Sequence, residues 1–95
     1  MEDLSQFNRK VRIEKLLRAA FPVAAFDVFD DSKDHAGHAH GFNGETHYRL
    51  HIVDDSFRGE SKLQSQRRIL QAIQPEFDAG LHSFVIEKIT SRNLP

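Results

Sequence analysis

Residues 45–54 are Glu45-Thr46-His47-Tyr48-Arg49-Leu50-His51-Ile52-Val53-Asp54, and they carry the clearest secondary-structure signal in the chain. Tyr48, Leu50 and Ile52 alternate with polar residues, which is the pattern of a strand that buries one face. We therefore predict a strand over residues 45–54 whose apolar residues face the core. The acidic turn that follows, from Asp54 to Ser56, ends it.

Two further strands are predicted, one earlier in the sequence over residues 25–30 and one later over residues 81–89. Phe26 and Val28 share one face of the first. The side chains of the last strand are expected to lie on two faces. One face carries His82, Phe84 and Ile86, and the other carries Leu81, Ser83, Val85 and Ile89. Residues 31–44 form a loop that contains three glycines and three histidines. At about 14 residues the loop is long for a hairpin connection, and loops of that length usually serve a function or are mobile.

Three helices are expected. The first covers residues 4–21, because apolar residues recur at helical spacing up to Pro22, which ends it. The second opens with a capping box formed by Ser61 and Gln64. Its predicted apolar face consists of Leu63, Leu70, Ile73 and Phe77, with Gln66 filling a gap in that face. A short third helix is predicted over residues 75–80, with a proline at its first turn and a glycine after its end.

The predicted order is α-β-β-α-α-β, which places the chain in the α+β class. We expect a three-stranded mixed sheet with the helices packed on one face. The crossover between the second and third strands should be right-handed if those strands are parallel. Residues 1–95 are expected to form one domain, with a core at about 5–90 and a short flexible tail at 91–95.

Composition excludes several classes of protein. The net charge is -1 and there is no cysteine, so a strongly basic nucleic-acid binder, a disulfide scaffold and a thiol nucleophile are excluded. The sequence shows no secretory signal and no apolar stretch long enough to span a membrane, so we expect a cytoplasmic protein without a membrane partner. No catalytic motif is present either, so we predict that the chain is not an enzyme.

Histidine is the unusual component, because five of the six histidines lie between positions 35 and 51. His35, His38 and His40 follow a His-x2-His-x-His spacing that can bind zinc or nickel weakly, although solvated loop histidines show the same pattern. His47 and His51 share a strand face about 13 Å apart, too far to hold one ion together. His51 is expected at the surface.

Four motifs together resemble the BolA family: residues 31–38 (Asp-Ser-Lys-Asp-His-Ala-Gly-His), residues 44–49 (Gly-Glu-Thr-His-Tyr-Arg), residues 57–61 (Phe-Arg-Gly-Glu-Ser) and residues 80–84 (Gly-Leu-His-Ser-Phe). The histidine-containing loop is similar to that of the bacterial and mitochondrial branch. The resemblance implies a fold like that of class II KH domains. It also implies a non-catalytic partner of a monothiol glutaredoxin, which shares a [2Fe-2S] cluster with it and with glutathione in cluster assembly, trafficking or iron regulation.

The resemblance also implies which residues act. His82 and the loop residue His35 are the expected ligands, with His38 and His40 as alternatives. His can replace Cys on one iron of a [2Fe-2S] cluster, so this chain could supply at most the histidine half of a shared cluster and would hold none alone. His47, Gly59 and Ser61 belong to the signature, and a structural hydrogen bond is as good an interpretation of His47 as a functional one. The second helix departs from the family, with Ser65-Gln66-Arg67 where Arg-His-Arg is usual, so we expect Gln66 to be structural.

The alternative hypothesis is a DNA-binding regulator of morphology or stress response. The second and third helices resemble a helix-turn-helix in outline, and the cations available to contact phosphate are Arg58, Lys62, Arg67 and Arg68. Gly41-Phe42-Asn43-Gly44 matches the Gly-x-x-Gly loop of KH domains but lies between strands, which disfavours KH-type RNA binding. DNA binding should be weak. By itself the protein is expected to be a monomer or a weak homodimer.

Overall fold

Three strands form one mixed sheet in the computed structural model, which describes residues 7–32 and 47–91 of the chain. The predicted order of elements is confirmed. The helices and strands are α1 (Arg9–Ala20), β1 (Ala25–Asp30), β2 (His47–Val53), α2 (Lys62–Ala72), α3 (Gln74–Asp78) and β3 (Ser83–Thr90), with one turn of 3-10 helix (Asp55–Phe57) before α2. None of the helices in the described part of the chain is long and apolar enough to cross a membrane.

The strand β2 lies in the centre of the sheet. It pairs antiparallel with β1, where Val28 lies opposite Leu50, and parallel with β3, where His47 lies opposite Ser83. The predicted alternation of β2 is confirmed, because its even-numbered residues are buried and its odd-numbered residues are only partly covered. The helices therefore cover one face of the sheet, and no described helix or strand covers the other, which we call the open face.

A β-bulge in β3 changes the predicted division of its faces. Leu50 pairs with Ile86, but the next residue of β2, His51, pairs with Lys88, so Glu87 is an extra residue in the ladder. An extra residue reverses the alternation beyond it. Ile86 and Ile89 consequently both pack against the core, although strict alternation placed them on opposite faces.

The start of α1 differs from the prediction. Asn8 has extended backbone angles, and its side-chain oxygen accepts a hydrogen bond from the Val11 N–H, so the helix begins at Arg9 and not at residue 4. Residues 4–6 lie outside the described residues. Ile13 and Leu17 are fully buried as the pattern requires, whereas Ala20 at the end of the helix is exposed.

In α2 the predicted capping box is confirmed, and the predicted apolar face is confirmed for Leu70, Ile73 and Phe77 but wrong for Leu63. Ser61 caps the Gln64 N–H, and the Gln64 side chain accepts from the Ser61 N–H. The buried row is Ser65, Ile69 and Ile73, while Leu63 is 55% exposed. A serine can occupy this row because its hydroxyl donates to Glu60, which satisfies the buried polar group.

The short helix α3 begins at Gln74, one residue before the predicted start, and is joined to α1 by a buried ion cluster. Glu76 is 4% exposed and accepts from Arg9 Nε at 2.9 Å and from Arg12 Nε at 3.0 Å. Arg9 also donates to the carbonyl oxygen of Ala79. The burial of these charged residues could not be predicted from the sequence, because a buried charge is recognised only from the partners that surround it.

Candidate functional site

Two histidines meet at one end of the sheet. His47 is the first residue of β2, and His82 immediately precedes β3. The parallel register places Ser83 opposite His47, and the two imidazole rings lie edge to face with their centroids 6.0 Å apart. We call His47 and His82 the histidine pair.

Local structure fixes the backbone on both sides of the pair. The His47 N–H donates to Ser32 Oγ at 3.0 Å, and its carbonyl accepts from the Asp31 N–H at 2.9 Å. Leu81 is buried, and its N–H donates to the Glu76 carbonyl. His82 lies one residue before the strand that was predicted to contain it, but its backbone is held between buried Leu81 and the first paired residue of β3.

The spacing of the histidine pair is close to that of two ligands of one metal ion. An imidazole nitrogen lies about 2.1 Å from a bound metal, so two rings at a tetrahedral angle have centroids about 5.3 Å apart, and the observed 6.0 Å requires the rings to approach by about 0.7 Å. His82 is exposed and His47 is partly buried, so a ligand held by another molecule can reach the pair. Within residues 7–32 and 47–91, no three His, Asp or Glu side chains come together as a metal site.

The other predicted ligands, His35, His38 and His40, lie outside the described residues. The loop that carries them leaves the sheet after Ser32 and returns at His47, so its two ends adjoin the histidine pair. Sequence reasoning placed His47 in the signature but did not recognise it as a neighbour of His82. The available signal was the topology, because parallel strands begin at the same end of a sheet.

The remaining signature residues shape the segment before α2. Gly59 has a φ of 80°, a conformation that side-chain-bearing residues rarely adopt, and no atom lies where its Cβ would be. Ser61 is the N-cap of α2. Gln66 is half-buried on α2, on a different element from either member of the histidine pair.

The four cations predicted to contact nucleic acid fall into two groups. Arg58, Lys62 and Arg67 are exposed. Arg68 is half-buried: it donates to Glu60 at 2.8 Å, and its guanidinium lies over the rings of Phe21 and Phe57. Arg68 therefore has a structural role that its sequence context did not indicate.

A second polar cluster lies on the open face of the sheet. Arg49 is paired with Asp31 at 3.0 Å and with Glu87 at 3.3 Å, and Glu87 is also hydrogen-bonded to His51. The hydrogen bond from His51 holds the pKa of Glu87 below its ordinary value, and the charge of Arg49 acts in the same direction. His51 lies on this face, in keeping with its predicted surface position, and is partly covered within the cluster.

The family model described as BolA-like protein matches residues 17–93. The chain belongs to the BolA-like family.

Curated relatives of this BolA-like protein differ in their names and lengths. An uncharacterised protein from a Sinorhizobium species is 42% identical over 77 residues, which cover 79% of this chain and 83% of that protein. The DNA-binding transcriptional regulator BolA of Escherichia coli is 33% identical over 79 residues, covering 83% of this chain and 72% of the regulator. SufE-like protein 1 of Arabidopsis thaliana is 38% identical over 84 residues, covering 83% of this chain but only 23% of that relative.

Solved structures of BolA proteins share the fold. The BolA domain of SufE1 from Arabidopsis thaliana is 34% identical, with a TM-score of 0.77 over 93% of this chain and 96% of that domain. BolA1 from the same plant is 26% identical, with a TM-score of 0.78 over 94% of this chain and 99% of its own. The α+β architecture read from the sequence is thus that of BolA domains, and the likeness to class II KH domains stays a prediction.

Proposed function

We propose that this BolA-like protein is a non-catalytic partner of a monothiol glutaredoxin and shares a [2Fe-2S] cluster with it and with glutathione. The cluster would serve iron–sulfur assembly or trafficking, or iron regulation. The observation that carries the proposal is the histidine pair, with two imidazoles 6.0 Å apart at an accessible end of the sheet.

The chemistry of the chain matches half of such a cluster. Histidine can replace cysteine on one iron, while the second iron takes thiolates. The chain contains no cysteine, so the thiolates must come from other molecules. A glutaredoxin cysteine and the thiol of glutathione supply them in this proposal.

Two ligand sets are open to the protein. His82 is common to both, and its partner is either His35, as the family resemblance implies, or His47, as the geometry favours. His38 and His40 are the alternatives within the loop. Only the set of His82 and His47 lies entirely among the described residues, where the two rings are already neighbours.

The test is an anaerobic reconstitution of this protein with a monothiol glutaredoxin, glutathione, iron and sulfide. We expect a heterodimer on a sizing column, with a visible absorption and circular dichroism spectrum distinct from that of the glutaredoxin homodimer. If the spectrum stays that of the homodimer and no heterodimer elutes, the proposed function is wrong.

A second candidate, DNA binding, is favoured by the exposure of Arg58, Lys62 and Arg67 around the start of α2 and by the similarity to the Escherichia coli regulator. Binding through phosphate contacts should weaken steeply with salt, with a log–log slope of about -0.9 for each contact. We expect Arg67→Glu to reduce this slope by about one contact and leave the fold intact. Arg68→Glu, in contrast, should destabilise the fold, because Arg68 is already paired with Glu60.

A further inference from the structure

A groove of about 610 Å³ runs along the outer edge of β3. One wall consists of residues 86–91, and the other consists of residues 57–60 together with Lys62 and Ser65 in the first turns of α2. Ile86 and Ile89 contribute apolar surface to the wall formed by β3, and both are only partly buried. The groove thus combines a strand edge with a wall from a different part of the chain.

The outer edge of β3 has no strand beside it in the described part of the chain, because the sheet order is β1-β2-β3. The strand is eight residues long. The outward N–H and C=O groups of an edge strand form a template for one more strand, and peptide-binding domains use this mode of recognition. The geometry of the groove therefore suits an extended polypeptide.

The charge of the groove is positive. Arg58, Lys62 and Lys88 line it, are exposed, and form no ion pair with any described residue. Its two carboxylates are already neutralised by other contacts. Glu60 accepts from Arg68 and Ser65, and Glu87 is paired on the open face of the sheet with Arg49 and His51.

We propose that this groove binds an extended acidic segment of a partner protein, which adds to the sheet as a fourth strand beside β3. Main-chain hydrogen bonds to the edge of β3 supply the alignment. Acidic side chains of the segment lie against Arg58, Lys62 and Lys88, and this complementarity accelerates and orients the encounter.

A single nucleic-acid strand fits the groove less well than a peptide. Proteins that bind single strands stack bases on exposed aromatic rings. The one aromatic residue that lines the groove, Phe57, is only 6% exposed and packs against Phe21. The groove is positively charged, has no exposed aromatic ring for base stacking among its lining residues, and adjoins a strand edge that no described strand covers, so it favours a peptide.

The groove is separate from the histidine pair. His82 precedes β3, and the residue of the groove nearest to it along the strand is Ile86, so about 13 Å of extended chain separates the two sites. This inference does not depend on the proposed cluster, and failure of one leaves the other intact.

The experiment uses the full chain labelled with nitrogen-15 and a capped eight-residue peptide that alternates threonine and glutamate. We expect shifts and slower hydrogen exchange of β3 amides, with the largest effects over residues 86–90. Two control peptides separate the contribution of charge from that of main-chain hydrogen bonds. A peptide with lysine in place of glutamate should not bind, because its charge is reversed. A peptide with alternate backbone nitrogens methylated should not bind either, although its charge is unchanged.

Variants of the protein test the charge. Arg58→Glu combined with Lys62→Glu should weaken peptide binding by about tenfold or more. The matched control combines Lys10→Glu with Arg67→Glu, which makes the same change in net charge at exposed positions outside the groove, and should bind nearly as the unmodified protein does.

Three results would overturn the proposal. The first is the absence of any β3 shift at peptide concentrations of about 1 mM. The second is equal binding of the backbone-methylated peptide, which would exclude strand addition. The third is an oligothymidine that binds the groove while the acidic peptide does not, which would assign the surface to nucleic acid.

Discussion

At the scale of single residues, the histidine pair separates the two ligand sets. We expect His82→Ala to abolish the heterodimer cluster spectrum, because His82 belongs to both sets. If the pair itself holds the iron, His47→Ala should abolish the spectrum as well, while His35→Ala leaves it nearly unchanged. If His35 supplies the second ligand, His35→Ala should abolish the spectrum and His47→Ala should leave it nearly unchanged.

The control for this series is His51→Ala. His51 lies on the same strand as His47 but is hydrogen-bonded to Glu87, away from the pair. Its loss should leave the cluster spectrum unchanged when measured by visible circular dichroism at equal protein concentration. A full spectrum from His82→Ala would show that the iron ligands lie elsewhere in the protein.

The sequence could identify His82 and His47 as residues of interest, but not their proximity. Motifs mark positions along the chain, whereas the distance between the rings depends on the parallel pairing of two strands separated by two helices. The role of Arg68 was hidden for the same reason, since Phe21 and Phe57, the rings under its guanidinium, are distant from it in sequence. Contacts of this kind follow from tertiary packing and have no local signature.

At the scale of elements, Glu76 joins α3 to α1. Glu76→Gln removes from a largely buried site the carboxylate that pairs with both Arg9 and Arg12. Breaking a buried ion pair on one side costs about 3–5 kcal/mol, so we expect a loss of about 3 kcal/mol or more in the free energy of unfolding. The measurement is urea denaturation followed by circular dichroism.

The matched control is Asp78→Asn on the same helix. Asp78 is exposed, and its side chain accepts a hydrogen bond from Gln74. Its replacement should change the free energy of unfolding by about 0.5 kcal/mol or less. Equal effects of the two variants would show that the buried cluster contributes no more than a surface contact.

Elements with strong local signals were predictable. β1 has the predicted bounds, and the capping box of α2 is present as the Ser61 and Gln64 pattern indicated. The bulge at Glu87 and the exposure of Leu63 were not predictable, because both depend on how β3 and α2 meet their neighbours. Periodicity identifies an element more reliably than it identifies the side that the rest of the fold covers.

At the scale of the whole molecule, two carboxylates make stability depend on acid pH. Hydrogen bonds from Arg68 and then Ser65 lower the pKa of Glu60, and the hydrogen bond from His51 lowers that of Glu87. A lowered pKa in the folded state means that the stabilisation is present above the unfolded value and is lost as the pH falls through the folded value. Both contributions should therefore fade below about pH 4.5.

The measurement compares urea midpoints of the unmodified protein with those of Glu60→Gln. The difference should be largest near neutral pH and shrink as the pH falls below about 4.5 and then through the lowered folded-state pKa of Glu60, where the carboxyl is protonated in both states. Asp27→Asn, which removes an exposed carboxylate of β1, should give a difference that stays small at every pH. A difference for Glu60→Gln that does not shrink with acid would exclude the ion pair with Arg68 as its cause.

The two proposed binding sites lie towards opposite ends of β3, and this arrangement predicts that they act independently. About 13 Å of extended chain separates His82 from Ile86, the nearest residue of the groove along β3, and no side chain named in one site lines the other. Effects of substitutions at distant sites without shared partners add. His82→Ala should therefore remove the cluster spectrum and leave acidic-peptide binding within about twofold of normal. Arg58→Glu with Lys62→Glu should weaken acidic-peptide binding and leave the cluster spectrum unchanged. The protein with all three substitutions should lose both the spectrum and peptide binding, with no further change.

If the acidic peptide instead displaces the glutaredoxin, the glutaredoxin covers the edge of β3 as well as the histidine pair, and the two sites form one continuous interface.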